Sequence, residues 1–176
     1  MPVSDDVRPQ VQRMAYILAA ERHRPEPEAS QVWKEYEAYL QINAARFPPE
    51  ALALATSDWY FGFSDHRAPH DSWLEAATFS EPAAGERNEL RSLNLRVTLL
   101  GAYHDFILEF FYPEVFSYTL SNPATGGGHF DWRYDEFRLS DDGKLIHEIE
   151  WAGPPGYAGR WLIEASDVQF TARPRA

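Results

Sequence analysis

Apolar residues recur along this chain with two different periods, and the change of period divides it. Val7, Val11, Met14 and Leu18 fall at spacings of 4, 3 and 4, one stripe of an amphipathic helix that ends before Pro25. Trp33, Tyr36, Leu40, Asn43 and Phe47 repeat at 3, 4, 3 and 4, a second helical stripe stopped by Pro48-Pro49, after which a short third helix over 50–55 has a proline at its start. Aromatic residues at this spacing read as core, so the first 57 residues predict an antiparallel helix pair plus a short third helix.

From Trp73 onward the period is two. Leu93, Leu95, Val97 and Leu99 alternate with polar residues, predicting a half-buried strand. Phe106, Leu108, Phe110 and Tyr112 alternate in the same way, but Ile107 and Phe111 make the second face apolar too, which predicts a central strand covered on both sides. Pro113 marks a bend, and 115–120 extends again. Phe130, Trp132 and Tyr134 lead through Ser140-Asp141-Asp142-Gly143, a turn signal suited to positive φ, into Leu145, His147, Ile149 and Trp151, a hairpin. Trp161, Ile163, Ala165, Val168 and Phe170 predict a last strand with a slip near Ser166-Asp167. The expectation is a single α+β domain over 1–176, with N-terminal helices over 1–57 packed on a largely antiparallel meander of about six to seven strands over 58–176.

Composition narrows the function. The chain has 176 residues, 44% of them apolar, enough for one buried core, and no run of eighteen apolar residues to span a bilayer. Sixteen basic against 27 acidic residues give a formal charge of −11, which opposes a phosphate backbone and excludes nucleic acid as the expected partner. The excess belongs to the sheet half: residues 1–57 carry eight acids and six bases, leaving 19 acids and ten bases for 58–176. An acidic sheet suits a basic protein partner, with solubility as the competing explanation. There is no cysteine, so no disulfide, thiolate metal site or cysteine nucleophile. Met1–Asp6 shows no basic region leading into an apolar one, which predicts a cytoplasmic setting, and 22 Ala against two Lys suggest a bacterial source.

Three clusters are candidates for chemistry. The segment 64–72 gathers His66, His70, Asp71 and Ser72, and with His104 it supplies an alternative metal set of His66, His70 and His104; Pro69 opposes the helix that would align the first two. His70, Asp71 and Ser72 hold the letters of a hydrolase triad, but adjacent side chains diverge and no G-x-S-x-G elbow is present. Glu148 and Glu150 share one face of a strand, and Asp131 and Asp135 are placed with Arg133 on one face of its partner, a carboxylate group suited to glycoside hydrolysis or to a solvated face. Thr125-Gly126-Gly127-Gly128-His129 lacks the Lys-Ser/Thr of a phosphate cradle and reads as a connection between strands.

His70-Asp71-Ser72 ahead of a strand, the 93–99 strand, the segment ending Glu114-Val115-Phe116-Ser117-Tyr118, Trp132-Arg133-Tyr134-Asp135-Glu136, the Asp-Gly hairpin and the closing 163–170 follow one another in an order that resembles small β-rich bacterial proteins with an HDS…YDE layout. Some of these are associated with polymorphic-toxin immunity. The resemblance covers roughly 70–171 and supplies no catalytic residues; Asp71 or Ser72 is expected to cap a strand entry by accepting backbone N–H bonds. The functional expectation is a non-catalytic cytoplasmic bacterial binding protein, of the immunity type that neutralises a basic toxin, without a cofactor and binding through His70, Asp71, Asp131, Asp135, Glu136, Glu148 and Glu150. The alternative is a small hydrolase with a metal or paired-carboxylate site.

Overall fold

The computed structural model describes residues 26–123, 126–155 and 157–176, so the expected helix over 7–18 lies outside the described residues. Helix α1 (Glu26–Asn43) runs through a 3-10 turn (Ala44–Arg46) to helix α2 (Pro49–Ala55). The second stripe behaves as its spacing requires, with Tyr36, Leu40 and Phe47 buried, and Pro49 occupies the first turn of α2, where its missing N–H costs nothing.

Among the described residues ten strands follow: β1 (Trp73–Ser80), β2 (Ala83–Ala84), β3 (Leu90–Arg91), β4 (Asn94–Leu100), β5 (Phe106–Tyr112), β6 (Val115–Ser121), β7 (Asp131–Leu139), β8 (Leu145–Ala152), β9 (Ala158–Ala165) and β10 (Gln169–Pro174). Eight form one antiparallel sheet in the order β10-β5-β4-β1-β7-β8-β9-β6, and β2 pairs with β3 in a small ribbon. The α+β class with an antiparallel sheet holds; the six-to-seven-strand meander does not. Only two three-strand runs, β1-β4-β5 and β7-β8-β9, follow sequence order within the sheet. The slip expected near Ser166-Asp167 is a crossing instead: β9 ends beside β6 at one edge and β10 begins beside β5 near the other.

Strands β5 and β6 are joined by Pro113-Glu114 alone, yet they stand second and eighth in the sheet, so the sheet must fold back on itself. Its concave faces then share one core. Leu95, Val97 and Leu99 of β4, Leu108, Phe110 and Tyr112 of β5, and Leu145, His147, Ile149 and Trp151 of β8 all point inward, and Phe110 stacks on Trp132 across the fold at 5.1 Å. The Asp-Gly hairpin forms where expected: Gly143 takes φ +83°, and Ser140 Oγ accepts the Lys144 N–H at 2.9 Å.

One irregularity positions everything that follows. Strands β1 and β7 share a single bridge, Trp73 with Asp131, and then separate. An unpaired strand edge inside a fold leaves N–H and C=O groups that need partners. Helix α1 supplies them: the Tyr36 hydroxyl accepts the Phe137 N–H and donates to the Phe137 C=O, both at 3.0 Å, and the Tyr39 hydroxyl accepts the Leu139 N–H at 2.9 Å. Helix α2 is anchored from the β9–β10 crossing, where Asp167 accepts the Glu50 and Ala51 N–H groups at 3.2 and 3.0 Å and so caps the helix from outside its own segment.

Candidate functional site

Between the bridge at Asp131 and the tyrosine caps at Phe137, the β7 edge opens into a cleft of about 790 Å³. Residues 132–135 line one side of it; Trp33, Glu37, Leu40 and Gln41 of α1 line the other. The end of α2 and the turn that follows close it with Leu52, Ala55, Thr56, 57–58 and 60–63, and Pro69 and His70 complete the rim. That turn is held by local bonds: Ser57 Oγ donates to the Leu54 C=O at 2.8 Å and accepts the Tyr60 N–H at 3.3 Å, which drives Tyr60 inward. Gly62 passes close to the Trp59 carbonyl, where an added Cβ would sit 3.2 Å away. The walls are aromatic. Phe61 packs edge-on against Trp33 at 5.1 Å and Tyr60 at 4.8 Å, and Phe63 lies 4.2 Å from the His70 ring.

A buried polar chain forms the floor. Asp135 Oδ2 accepts the Tyr60 hydroxyl at 2.6 Å and lies 2.8 Å from His147 Nε2, while Oδ1 accepts Trp132 Nε1–H at 3.1 Å. His147 Nδ1 in turn lies 2.7 Å from the Tyr112 hydroxyl. All five residues are buried, and His147 is fully enclosed, stacked on Phe137 at 4.2 Å. Burial first, and then the charge of Asp135, holds the Tyr60 and Tyr112 phenols well above their usual pKa, so both remain donors. Asp135 and Tyr60 reach the cleft; His147 and Tyr112 are not among the residues lining it.

Asp135 arrives here through a β-bulge. The pairing of β7 with β8 shifts between Trp132 and Tyr134, so Trp132 and Asp135, three residues apart, both turn to the concave side. Asp131 and Asp135 therefore do not share a face, contrary to the alternation. The same shift sets Glu136 directly opposite Glu148 on the convex side, where Glu148 pairs with both Arg138 and Arg160. Glu136, Arg138 and Glu148 are buried, not a solvated surface. Glu150 shares the face of Glu148 as expected; burial, followed by the Glu148 charge, pushes its carboxyl pKa up.

The 64–72 segment is spread over several contacts. His66 Nδ1 lies 2.6 Å from Asp105 and its ring stacks on Tyr103 at 3.9 Å; His104 packs on Trp73 at 4.8 Å; His70 lies 3.2 Å from Asp71. The alternative metal set of His66, His70 and His104 is not assembled: among the described residues no group of three His, Cys, Asp or Glu side chains is placed to hold a metal ion. Asp71 and Ser72 do not act as side-chain caps either. Their backbones extend the β1–β7 ladder, with the Asp71 N–H on the Trp132 C=O at 2.7 Å and the Trp132 N–H on the Ser72 C=O at 2.9 Å. Asp71 takes φ +59°, and its carboxylate lies 3.2 Å from Arg133, which also reaches Asp131 at 3.3 Å. Trp73 Nε1–H donates to Asp131 at 2.8 Å.

Of the seven expected binding residues, then, the cleft gathers Asp135 and His70. Asp71 and Asp131 stand behind it through Arg133, and Glu136, Glu148 and Glu150 belong to the opposite face of the sheet. Trp33 belongs to the α1 stripe that reads as core, Tyr60 and Phe61 carry no periodic mark, and the sequence holds one signal for the floor: His147 sits at a core position, alternating with Leu145 and Ile149.

Comparisons with protein-family models, curated proteins and solved structures each find no match. The HDS…YDE resemblance consequently rests on its short motifs alone.

Proposed function

We propose that the protein is a non-catalytic binding protein and that the aromatic cleft between α1 and β7 takes a small organic ligand. The observation that carries this reading is the cleft itself: about 790 Å³, with aromatic walls and a fixed polar floor, the size and lining of a small-molecule site. The floor favours binding over catalysis. Asp135 already accepts from Tyr60 and Trp132 and contacts His147, three partners for its two oxygens, and its histidine partner stands behind it, outside the cleft lining, where it cannot relay a proton to a ligand. A general base works best when a partner can pass its proton on, and here that partner is enclosed.

The test is a titration with the neutral fluorescent probe N-phenyl-1-naphthylamine. Saturable one-to-one binding is expected in the native protein and its loss in Thr56→Trp, which adds an indole at an exposed position on the cleft wall. A native protein that does not bind the probe, or a Thr56→Trp variant that binds it unchanged, overturns the reading.

A second reading, capture of a basic protein partner, is favoured by β1 and the ribbon after it. Beyond Trp73 no described residue pairs with the β7 side of β1, and residues 75–91 are exposed throughout, carrying Glu75, Glu81, Glu86 and Glu89 against Arg87 and Arg91. A bare strand edge accepts an added strand through its main chain. Deleting the ribbon would abolish such capture without touching the cleft.

A further inference from the structure

We propose that the ligand of the cleft is an organic cation, an amine or quaternary ammonium group attached to a flat apolar body. This rests on the cleft being a ligand site and specifies what the site selects.

The first argument is a proton inventory of the floor. Tyr112 has one hydroxyl proton and His147 Nδ1 as its partner; when it donates there, the imidazole proton sits on Nε2 and donates to Asp135. Tyr60 and Trp132 donate to the same carboxylate. In this arrangement the donors of Tyr60, Tyr112, Trp132 and His147 each have an acceptor, the imidazole is neutral and Asp135 carries its charge. A protonated imidazole would donate from Nδ1 as well, leaving the buried Tyr112 proton without an acceptor among these groups. The floor therefore presents a negative charge balanced by dipoles alone.

The second argument is the sign of the surroundings. Glu37 and Asp58 add two further acids to the lining. Arg133 is the one arginine or lysine in the lining among the described residues, and it is engaged by Asp71 and Asp131. Arg67 acts on Asp58 from outside the lining, while its guanidinium lies over Trp59 at 4.6 Å. A cleft with acids of one sign between low-dielectric walls concentrates counter-charge.

The third argument is the walls. Indole, phenol and phenyl faces attract cations through their quadrupoles and attract neutral rings by dispersion, so Trp33, Tyr60 and Phe61 welcome both parts of such a ligand. An anion would meet the negative floor and the ring faces alike, and is disfavoured by both.

The experiment displaces the neutral probe with benzyltrimethylammonium, its neutral isostere neopentylbenzene and benzoate. The cation is expected to bind at least tenfold tighter than either competitor, to weaken with added salt, and to lose most of that advantage in Asp135→Asn. Because Asp135 is buried and that variant can fail to fold, Glu37→Gln/Asp58→Asn serves as the second arm: it keeps the floor and is expected to lower the cation preference about threefold. Equal affinity for the three competitors, or preference for benzoate, overturns the cationic ligand while leaving the cleft reading intact. Failure of the native protein to bind the probe or any competitor removes both.

Discussion

The anchoring of α1 to the bare edge of β7 makes a sharp prediction, because it assigns two backbone groups to one side-chain oxygen. Tyr36 is 1% exposed, and its hydroxyl is both acceptor for the Phe137 N–H and donor to the Phe137 C=O. Tyr36→Phe removes that oxygen and nothing else. Each buried polar group left without a partner costs about 1–3 kcal/mol, so two together should cost about 2–6 kcal/mol. Tyr39 offers an internal control: it is half-buried and holds one N–H, that of Leu139, so Tyr39→Phe should cost about 1 kcal/mol. Urea unfolding followed by tryptophan fluorescence reads both, as a fall in the midpoint at constant slope. Thermal midpoints should follow at about 2–4 °C per kcal/mol for a chain of this size. A Tyr36→Phe variant that loses less than about 1 kcal/mol, or no more than Tyr39→Phe, refutes the assignment and with it the account of why α1 stands where it forms a wall of the cleft.

Three further substitutions probe other parts of the argument. Glu148→Gln leaves the buried Arg138 without its ion-pair partner and should destabilise by about 3 kcal/mol; a loss under about 1 kcal/mol would show that the facing Glu136 suffices. Glu150 has its carboxyl pKa raised by burial, so the folded state holds that proton more tightly than the unfolded chain and stability falls as pH rises from the unfolded to the folded pKa. Glu150→Gln should therefore be the more stable form at pH 7, by up to about 1 kcal/mol, and the gain should vanish below about pH 4; a gain that persists in acid would contradict the cause. Asp167→Ala removes the cap that α2 borrows from the β9–β10 crossing and should cost about 1–2 kcal/mol in the same unfolding assay, with Asp167→Asn recovering part of it.

What the sequence made legible was periodicity. The α1 stripe, the alternation of β4 and β5, and the Asp-Gly hairpin are local patterns, and local patterns survive folding because they determine which face a side chain presents. Long-range arrangements carry no such mark. Nothing near Asp167 says that its carboxylate will meet the Glu50 N–H, and nothing in Tyr36 distinguishes a core tyrosine from one whose hydroxyl completes a strand edge. The candidate site failed in the same way at one residue. Alternation put Asp131 and Asp135 together, and the bulge at 132–134 reversed the second, turning an expected surface acid into the floor of a cleft and an expected docking face into a buried ion cluster. The −11 formal charge of the chain is therefore a poor guide to its surface, since Asp135, Glu136 and Glu148 lie inside.

The cleft and the irregular topology have a common cause. A sheet that pairs every strand edge has no room beside β7, and a sheet that ends at β7 would expose that edge to other chains. Here the Trp73–Asp131 bridge holds β1 against β7 at one end only, and the two strands diverge from it. Farther along β7, at Phe137 and Leu139, a helix stands beside the edge and its tyrosines take the backbone groups that a neighbouring strand would. Beyond the bonds of Trp132 to Asp71 and Ser72, residues 133–135 line the cleft, which is where the bulge places Asp135. The cleft is accordingly set by backbone hydrogen bonding at both ends, so Tyr36→Phe should weaken ligand binding as well as stability, although its hydroxyl touches no ligand.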